Sequence, residues 1–122
     1  MRAMDADAFG SWLERYFAAW ASNEAEEVES LFAEDAVYSY GPFRDRARGR
    51  EEIVRRWVRG GSQPGLQTWF EPLALEGERG VAHWRVASHE RAIDGVWVVA
   101  LDARGRCESL RQWWHPSQTW PG

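Results

Sequence analysis

The sequence contains no lysine, a single cysteine and no long apolar run. Without a lysine amine, neither Schiff-base catalysis nor a Walker phosphate loop can operate. The lone Cys107 excludes an internal disulfide and a cysteine-cluster metal site, and we expect it to be a small core residue on an apolar strand. No segment approaches the roughly 18 apolar residues of a membrane-spanning helix. The beginning, MRAMDADAFG, lacks the blocks of a signal peptide, so we expect a cytoplasmic protein with no membrane contact.

What the sequence does contain is typical of a water-soluble globular protein. Of its 122 residues, 44% are hydrophobic, 28% are charged and 14% are aromatic. A chain of this length buries roughly two thirds of its unfolded surface and can hold a core without disulfides or a structural metal. We therefore expect a single domain over residues 1–122 that is large enough to contain a cavity.

Charge is unevenly distributed along the chain, which carries a formal net charge of −4. Residues 1–40 hold nine acidic residues against Arg2 and Arg15, a net charge of −7. Residues 41–60 hold seven arginines against three acids, a net charge of +4. Acids interrupt this arginine run, and the chain as a whole is acidic, so we expect no nucleic-acid partner. The segment is instead expected to be a solvated loop followed by the exposed face of a helix.

Apolar spacing predicts three helices in the first half of the chain. Aromatic and aliphatic residues recur every three or four positions, which predicts a long helix over about 5–22. A third helix is predicted over 53–58 and ends at Gly60-Gly61. Between them, Asn23 is expected to cap a short second helix, whose apolar stripe is formed by Val28, Leu31 and Phe32.

The rest of the chain predicts strands. After a short strand at 36–40, four β-rich runs follow the third helix, at 66–75, 81–88, 96–101 and 107–114. We expect a meandering antiparallel sheet with the helices packed on one face, which is an α+β fold. Asp94-Gly95 is a strong signal for a two-residue turn. The two prolines in residues 116–122 predict an irregular tail.

Four segments resemble the nuclear transport factor 2-like superfamily, and more narrowly its small bacterial SnoaL-like members. They are RYFAAW at 15–20, LFAEDAVYSY at 31–40, RGREEIVRRW at 48–57 and LDARGRCESLRQWW at 101–114. The resemblance implies a cone-shaped curved sheet wrapped around the helices, a ligand pocket inside, and a homodimer through the outer sheet face. It also implies a turn near His89-Glu90, with Gly95 as a strand irregularity. Ketosteroid isomerase, scytalone dehydratase and polyketide cyclases are among the relatives, as are proteins without catalytic activity.

The resemblance also assigns roles to single residues. Tyr16 matches the tyrosine that donates a hydrogen bond to the oxyanion in ketosteroid isomerase. Tyr40 and Trp97 fall where that enzyme has its general-base aspartate and its protonated aspartic acid, and neither side chain replaces a carboxylate base. In scytalone dehydratase, a tyrosine at the position of Tyr40 handles a substrate oxygen, and a second tyrosine falls at Trp20. Tyr16 and Tyr40 are therefore the candidate catalytic residues.

Strand alternation separates two faces of residues 81–88. Trp84 and Ser88 lie on the more apolar face, which we expect to face the cavity, with His83, Arg85 and His89 outside. A one-residue slip in register would turn His83 and Arg85 inward and permit acid–base chemistry. The alternative for the nine tryptophans is that many simply fill the core. The predicted pocket is an aromatic box lined by Tyr16, Trp20, Tyr40, Trp57, Trp84, Ser88, Trp97, Val99, Gln112 and Trp114.

No cofactor or metal site is expected. His83 and His89 would share a strand face but lie about 20 Å apart, which is too far for one ion. The sequence contains neither a nucleophile-elbow motif nor a dinucleotide-binding fingerprint. Ser62 lies in GGSQPG, a glycine-proline turn that could gate the cavity.

Three functions remain open at this point. The first is a cofactor-independent enzyme that binds a hydrophobic, oxygen-bearing small molecule and promotes isomerisation, dehydration or cyclisation. Tyr16 would donate to an oxyanion and Tyr40 would position or protonate a substrate oxygen. The sequence identifies no proton acceptor for such a reaction. The second function is a non-catalytic ligand-binding pocket, and the third is a homodimerising interaction module with Arg85, His89 and Arg91 at its interface.

Overall fold

A computed structural model describes residues 5–88 and 91–117 of the chain. Its helices are α1 (Ala6–Ser22), α2 (Ala25–Leu31) and α3 (Arg50–Val58). Its strands are β1 (Phe32–Ser39), β2 (Arg46–Arg48), β3 (Gln67–Glu76), β4 (Arg79–Ser88), β5 (Arg91–Leu101) and β6 (Cys107–Ser117). The strands form a curved, unclosed sheet in the order β2-β1-β6-β5-β4-β3. The predicted α+β fold is confirmed.

Both ends of α1 are capped by short polar side chains. The Asp5 carboxylate accepts a hydrogen bond from the Ala8 backbone N–H at 2.7 Å. The prediction that Asn23 caps α2 is wrong. Asn23 instead ends α1 in the left-handed conformation, with φ 58°, which a short polar residue tolerates. Its side chain donates to the Val58 carbonyl at 2.9 Å and so ties α1 to the end of α3. The buried face of α1 consists of Phe9, Trp12, Leu13, Tyr16, Phe17 and Ala19.

Three features of the sheet differ from the predicted meander. The segment predicted as a polar loop contains β2, which pairs antiparallel with β1. The β1–β6 pair is parallel, because the chain from α3 through β5 forms the long crossover that a parallel pair needs. β6 also continues through Pro116, into the predicted tail. Beyond Arg111, β6 is paired with β5 alone, and such an edge position tolerates proline.

Asp94 and Gly95 do not form the predicted two-residue turn, because both lie inside β5. Ser88 pairs with Arg91, and the turn that the resemblance implies near His89-Glu90 falls on two residues outside the described ranges. Gly95 lies inside β5, opposite Trp84, and a Cβ atom there would stand 2.3 Å from the Trp84 Cζ2 atom. The glycine is needed to make room for the indole and not to form a turn.

Aromatic rings fill the space between α1 and the sheet. Trp84 stacks on Trp97, with ring centroids 4.7 Å apart and planes at 25°. From α1, the rings of Tyr16 and Phe17 lie 4.4 Å and 5.3 Å from that of Trp97. Cys107 is fully buried at the start of β6, and burial raises the pKa of its thiol. The interior is a packed aromatic core, so any ligand site must lie beside it.

Candidate functional site

Four side chains from four elements form a hydrogen-bond network at one end of this core. The Trp97 indole Nε1 donates to Oε1 of Gln112 at 2.9 Å. The Tyr38 hydroxyl donates to the same oxygen at 2.8 Å and lies 2.6 Å from the Tyr16 hydroxyl. The network therefore connects β5, β6, β1 and α1.

The donor and the acceptor of each hydrogen bond in this network can be assigned. The indole N–H of Trp97 can only donate, so the amide oxygen of Gln112 must face it. Tyr38 gives its single hydroxyl proton to that same oxygen. At the 2.6 Å contact between the phenols, Tyr38 must then accept and Tyr16 must donate. Tyr16 thus donates its hydroxyl proton to Tyr38, and only a lone pair of the Tyr16 oxygen is free for another group.

The phenols of this region are neutral at physiological pH. Burial raises the pKa of both Tyr16 and Tyr38 well above the ordinary value of 10.0. Burial also raises the pKa of the half-buried Tyr40, although the neighbouring Arg56 opposes this shift. The Tyr40 ring stacks on that of Tyr38, with centroids 4.2 Å apart. These phenols can donate or accept hydrogen bonds, but they are not bases near neutral pH.

A small cavity of about 210 Å³ opens beside the network, between the end of α1 and the end of α3. Arg56 of α3 lies on its wall, with the guanidinium carbon 5.8 Å from the centroid of the Tyr40 ring. Arg56 also donates through Nη2 to the Glu52 carboxylate at 3.0 Å. The wall consists of Tyr16, Trp20, Asn23, Tyr38, Tyr40, Arg56, Trp57, Gly60, Gly61, Gln63 and Gln112.

A larger cavity of about 460 Å³ lies next to the first, since Trp20 and Gln63 line both. Part of its wall is the loop after α3 that contains Ser62, the segment predicted to gate the cavity. The Gln63 N–H donates to the Ala21 carbonyl at 2.9 Å, which fixes this loop to the end of α1. The lining residues are Trp20, Ser62, Gln63, Pro64, Leu66, Val86, Ser88, Arg91, Ala92, Ile93, Trp114 and Pro116.

Seven of the ten predicted site residues line these cavities. Those at the smaller cavity are Tyr16, Trp20, Tyr40, Trp57 and Gln112. Those at the larger one are Trp20, Ser88 and Trp114. The structure thus places both candidate phenols at the same cavity, although Tyr16 directs its proton away from it.

The other three predicted residues lie in the packed core. Trp84, Trp97 and Val99 are 1%, 0% and 0% exposed. A side chain with no surface open to a water-sized probe has no free space beside it for a ligand. A ligand could touch these three residues only if the core opened, so the structure gives them packing roles.

Two residues of the site are absent from the sequence-based prediction. Tyr38 precedes Tyr40 by two positions, and strand alternation places both on one face, so the same reasoning would have found it. Arg56 lies one helical turn after Glu52 on α3. No sequence pattern separates it from the exposed arginines of that segment.

His83 and Arg85 lie on the outer face of the sheet, as predicted, so the register slip does not occur. The Asp94 carboxylate contacts His83 Nε2 at 2.8 Å and accepts from Arg85 Nε at 2.8 Å. The Arg85 guanidinium also lies 5.0 Å from the Trp69 ring. His89 lies outside the described residues.

Two further classes of site are absent from residues 5–88 and 91–117. In these ranges no three histidine, cysteine or carboxylate side chains converge as a metal site. No helix there has the length and apolar character to cross a membrane.

Comparison with known proteins identifies the fold. A protein of unknown function from Burkholderia xenovorans, described as NTF-2 like, superposes with a TM-score of 0.74 at 16% identity, covering 95% of this chain and 89% of that one. A candidate ketosteroid isomerase from Kribbella flavida gives 0.71 at 18% identity, covering 95% and 84%. An NTF2-like protein of unknown function from Mesorhizobium loti gives 0.70 at 19% identity, covering 94% and 97%.

These structural similarities show the fold alone, and no curated protein matches the sequence. The family rests on a separate comparison. A family model of the SnoaL-like domain matches residues 13–119, and the chain therefore belongs to the SnoaL-like family.

Proposed function

We propose that this chain binds a small hydrophobic molecule bearing at least one oxygen, in the two adjacent cavities. The observation that carries the proposal is the hydrogen-bond network of Trp97, Gln112, Tyr38 and Tyr16, which borders a cavity that is also lined by Tyr40. The larger cavity beside it is mostly apolar. Mostly apolar walls with a few placed polar groups are typical of small-molecule sites. The candidate ketosteroid isomerase among the structural neighbours supports the same class of ligand.

In its catalytic form, the function is a cofactor-independent isomerisation, dehydration or cyclisation. Tyr40 is then the donor to the substrate oxygen, because it lines the smaller cavity and its side-chain partners among the described residues bond to its backbone carbonyl and not to its hydroxyl. For Tyr16 to donate to an oxyanion, its proton would have to turn from Tyr38 to the substrate. No carboxylate or histidine is among the described lining residues, so the described part of the cavities supplies no proton acceptor for such a reaction. Binding with polarisation of the ligand oxygen is the function that the geometry supports best.

Binding is tested by calorimetric titration with a panel of polycyclic ketones, terpenoids and phenolics. Trp114 and Trp113 are neighbours in sequence, are 37% and 38% exposed, and point to opposite faces of β6. Trp114 lines the larger cavity, so we expect Trp114→Ala to weaken binding at least tenfold and Trp113→Ala to leave it unchanged. No heat with any compound, or an equal loss in both variants, would contradict the proposal.

Catalysis is tested on any compound that binds. We expect turnover to be lost in the double variant Tyr16→Phe, Tyr40→Phe while binding is reduced only a few-fold, since both rings remain. Tyr40→Phe alone should account for most of the loss, because only Tyr40 has a free proton. Turnover that survives in the double variant would refute the catalytic roles.

A second candidate function, homodimerisation through the outer sheet face, is favoured by a separate observation. Trp69 and Trp113 are each 38% exposed on that face. The cross-strand pair Val81 and Val98 lies on the same face. We expect sedimentation analysis to show a dimer that Val98→Arg dissociates. Leu73→Arg, at a 55% exposed position on the edge strand β3, is the control that should leave it intact.

A further inference from the structure

Among the residues that the structure describes, the charged side chains that line the two cavities are both arginines. Arg56 lines the smaller cavity and Arg91 the larger one. Arg44 itself lines neither cavity, but it lies 5.3 Å from the ring centroid of Trp114, which lines the larger one. No aspartate or glutamate is found among the described lining residues. The arginine-rich segment 41–60, which supplies Arg56, thus places positive charge at the smaller cavity of a chain whose net charge is −4.

Glu52 positions the Arg56 guanidinium through one of its N–H groups, and the described residues leave the others unused. Glu52, one helical turn earlier, accepts from its Nη2 at 3.0 Å and is itself fixed by the Arg48 backbone N–H at 2.7 Å. This contact occupies one of the five N–H groups of the guanidinium, and within the described ranges the others have no acceptor. Glu52 cancels part of the charge but lines neither cavity. The remaining N–H groups are available to a ligand on the cavity side.

A guanidinium and a tyrosine on the wall of one cavity fit a carboxylate better than a neutral oxygen. A ketone or an alcohol can be bound by the Tyr40 hydroxyl alone. A carboxylate offers two acceptor oxygens and a charge, which match the planar N–H pair of an arginine and a second neutral donor. Hydrogen bonds between charged partners are also about twice as strong as those between neutral ones.

We infer that the ligand is a hydrophobic carboxylic acid, whose carboxylate binds Arg56 and the Tyr40 hydroxyl in the smaller cavity. Its apolar body lies against Trp20 and Trp114 in the larger one. This inference rests on the proposed function, that the two cavities hold a small molecule.

The experiment compares acids with their methyl esters, which keep the apolar body and remove the charge. Calorimetric titrations use 2-naphthoic acid, 1-pyrenecarboxylic acid and a diterpene resin acid, each with its ester, at neutral pH and low salt. We expect the acids to bind at least tenfold more tightly than their esters. Arg56→Leu should abolish this preference and leave ester binding within about twofold, and Arg56→Lys should keep part of it. Arg55→Leu, an exposed neighbour on α3 that lines neither cavity, should keep all of it.

The outcomes separate this inference from the proposed function. If acids and esters bind equally well, or if Arg55→Leu removes the preference as fully as Arg56→Leu, the carboxylate inference is overturned while ligand binding stands. If Arg91→Leu removes the preference and Arg56→Leu does not, the assignment to the smaller cavity is overturned. If no acid and no ester binds, this inference is overturned, and the proposed function is overturned as well only if no ketone, terpenoid or phenolic binds. Circular dichroism of each variant shows whether the fold is retained.

Discussion

The stacked tryptophans Trp84 and Trp97 allow the energy of the hydrogen-bond network to be measured by a matched substitution. Both are buried, at 1% and 0% exposure, and they stack on each other. They differ in their N–H groups: Trp97 donates to Gln112, whereas the buried Nε1 of Trp84 has no partner in the part of the chain that the structure describes. Replacing each by phenylalanine removes the same atoms from the same core, so the packing losses largely cancel in the comparison.

The expected difference follows from these N–H groups. Trp97→Phe loses a hydrogen bond worth about 0.5 to 1.5 kcal/mol. Trp84→Phe removes an unsatisfied buried donor and regains about 1 to 3 kcal/mol. We therefore expect Trp97→Phe to be less stable than Trp84→Phe by about 1.5 to 4.5 kcal/mol. Urea unfolding followed by far-ultraviolet circular dichroism measures this difference. Equal midpoints, or a greater loss in Trp84→Phe, would show that the Trp84 N–H is satisfied or that the network contributes little.

Three further predictions concern the sheet and the core. Gly95→Ala should destabilise the fold by about 1 to 3 kcal/mol, because the added Cβ meets the Trp84 ring at 2.3 Å and the Trp113 carbonyl at 2.8 Å. Gly10→Ala changes a helix position with no atom within 4 Å of the added Cβ, and it should instead stabilise the fold by up to about 1 kcal/mol. Similar losses of stability in the two variants would contradict the crowding at Gly95. Burial alone would raise the pKa of Asp94, but hydrogen bonds from Arg85 and His83 outweigh it and hold the pKa below its ordinary value of 3.8. The stability that Asp94 provides is therefore present above about pH 4 and is lost as the pH falls through its folded-state pKa. The urea midpoint should then fall less steeply with decreasing pH in Asp94→Asn than in the unmodified protein. An equal dependence of the midpoint on pH in both proteins would count against this. Cys107 is fully buried, and a thiol reagent should label it at a rate that rises with urea through the unfolding transition; fast labelling of the native protein would contradict its placement.

The elements of the fold are predictable because each carries a local pattern. The spacing of three and four gives α1, and alternation over 81–88 correctly turns Trp84 inward and His83 and Arg85 outward. The pairing of strands is less accessible. The parallel pairing of β1 with β6 depends on residues that lie far apart in the sequence, and the short strand β2 forms by pairing with β1. The sequence of a strand does not show which other strand it pairs with.

The site is predictable only in part, for a related reason. Strand alternation shows on which face of the sheet a tryptophan side chain lies, but it does not show whether the space on that face is a cavity or is filled by other side chains. Trp84 and Trp97 therefore belong to the predicted pocket wall and yet fill the core. The shared acceptor of Trp97 and Tyr38 requires Gln112 to lie opposite Trp97 in the β5–β6 pair, and that register follows from the whole sheet.

The same register changes what the resemblance implies for Tyr16. Where ketosteroid isomerase is expected to hold a protonated aspartic acid, this chain has Trp97, whose N–H turns the amide oxygen of Gln112 toward itself. That orientation makes Tyr38 a donor to Gln112 and leaves it as the acceptor for Tyr16. The residue at position 97 therefore determines where Tyr16, which matches the resemblance, directs its proton: to Tyr38. Under the proposed function, the phenol proton that is free for a ligand belongs to Tyr40, which lines the smaller cavity together with Arg56.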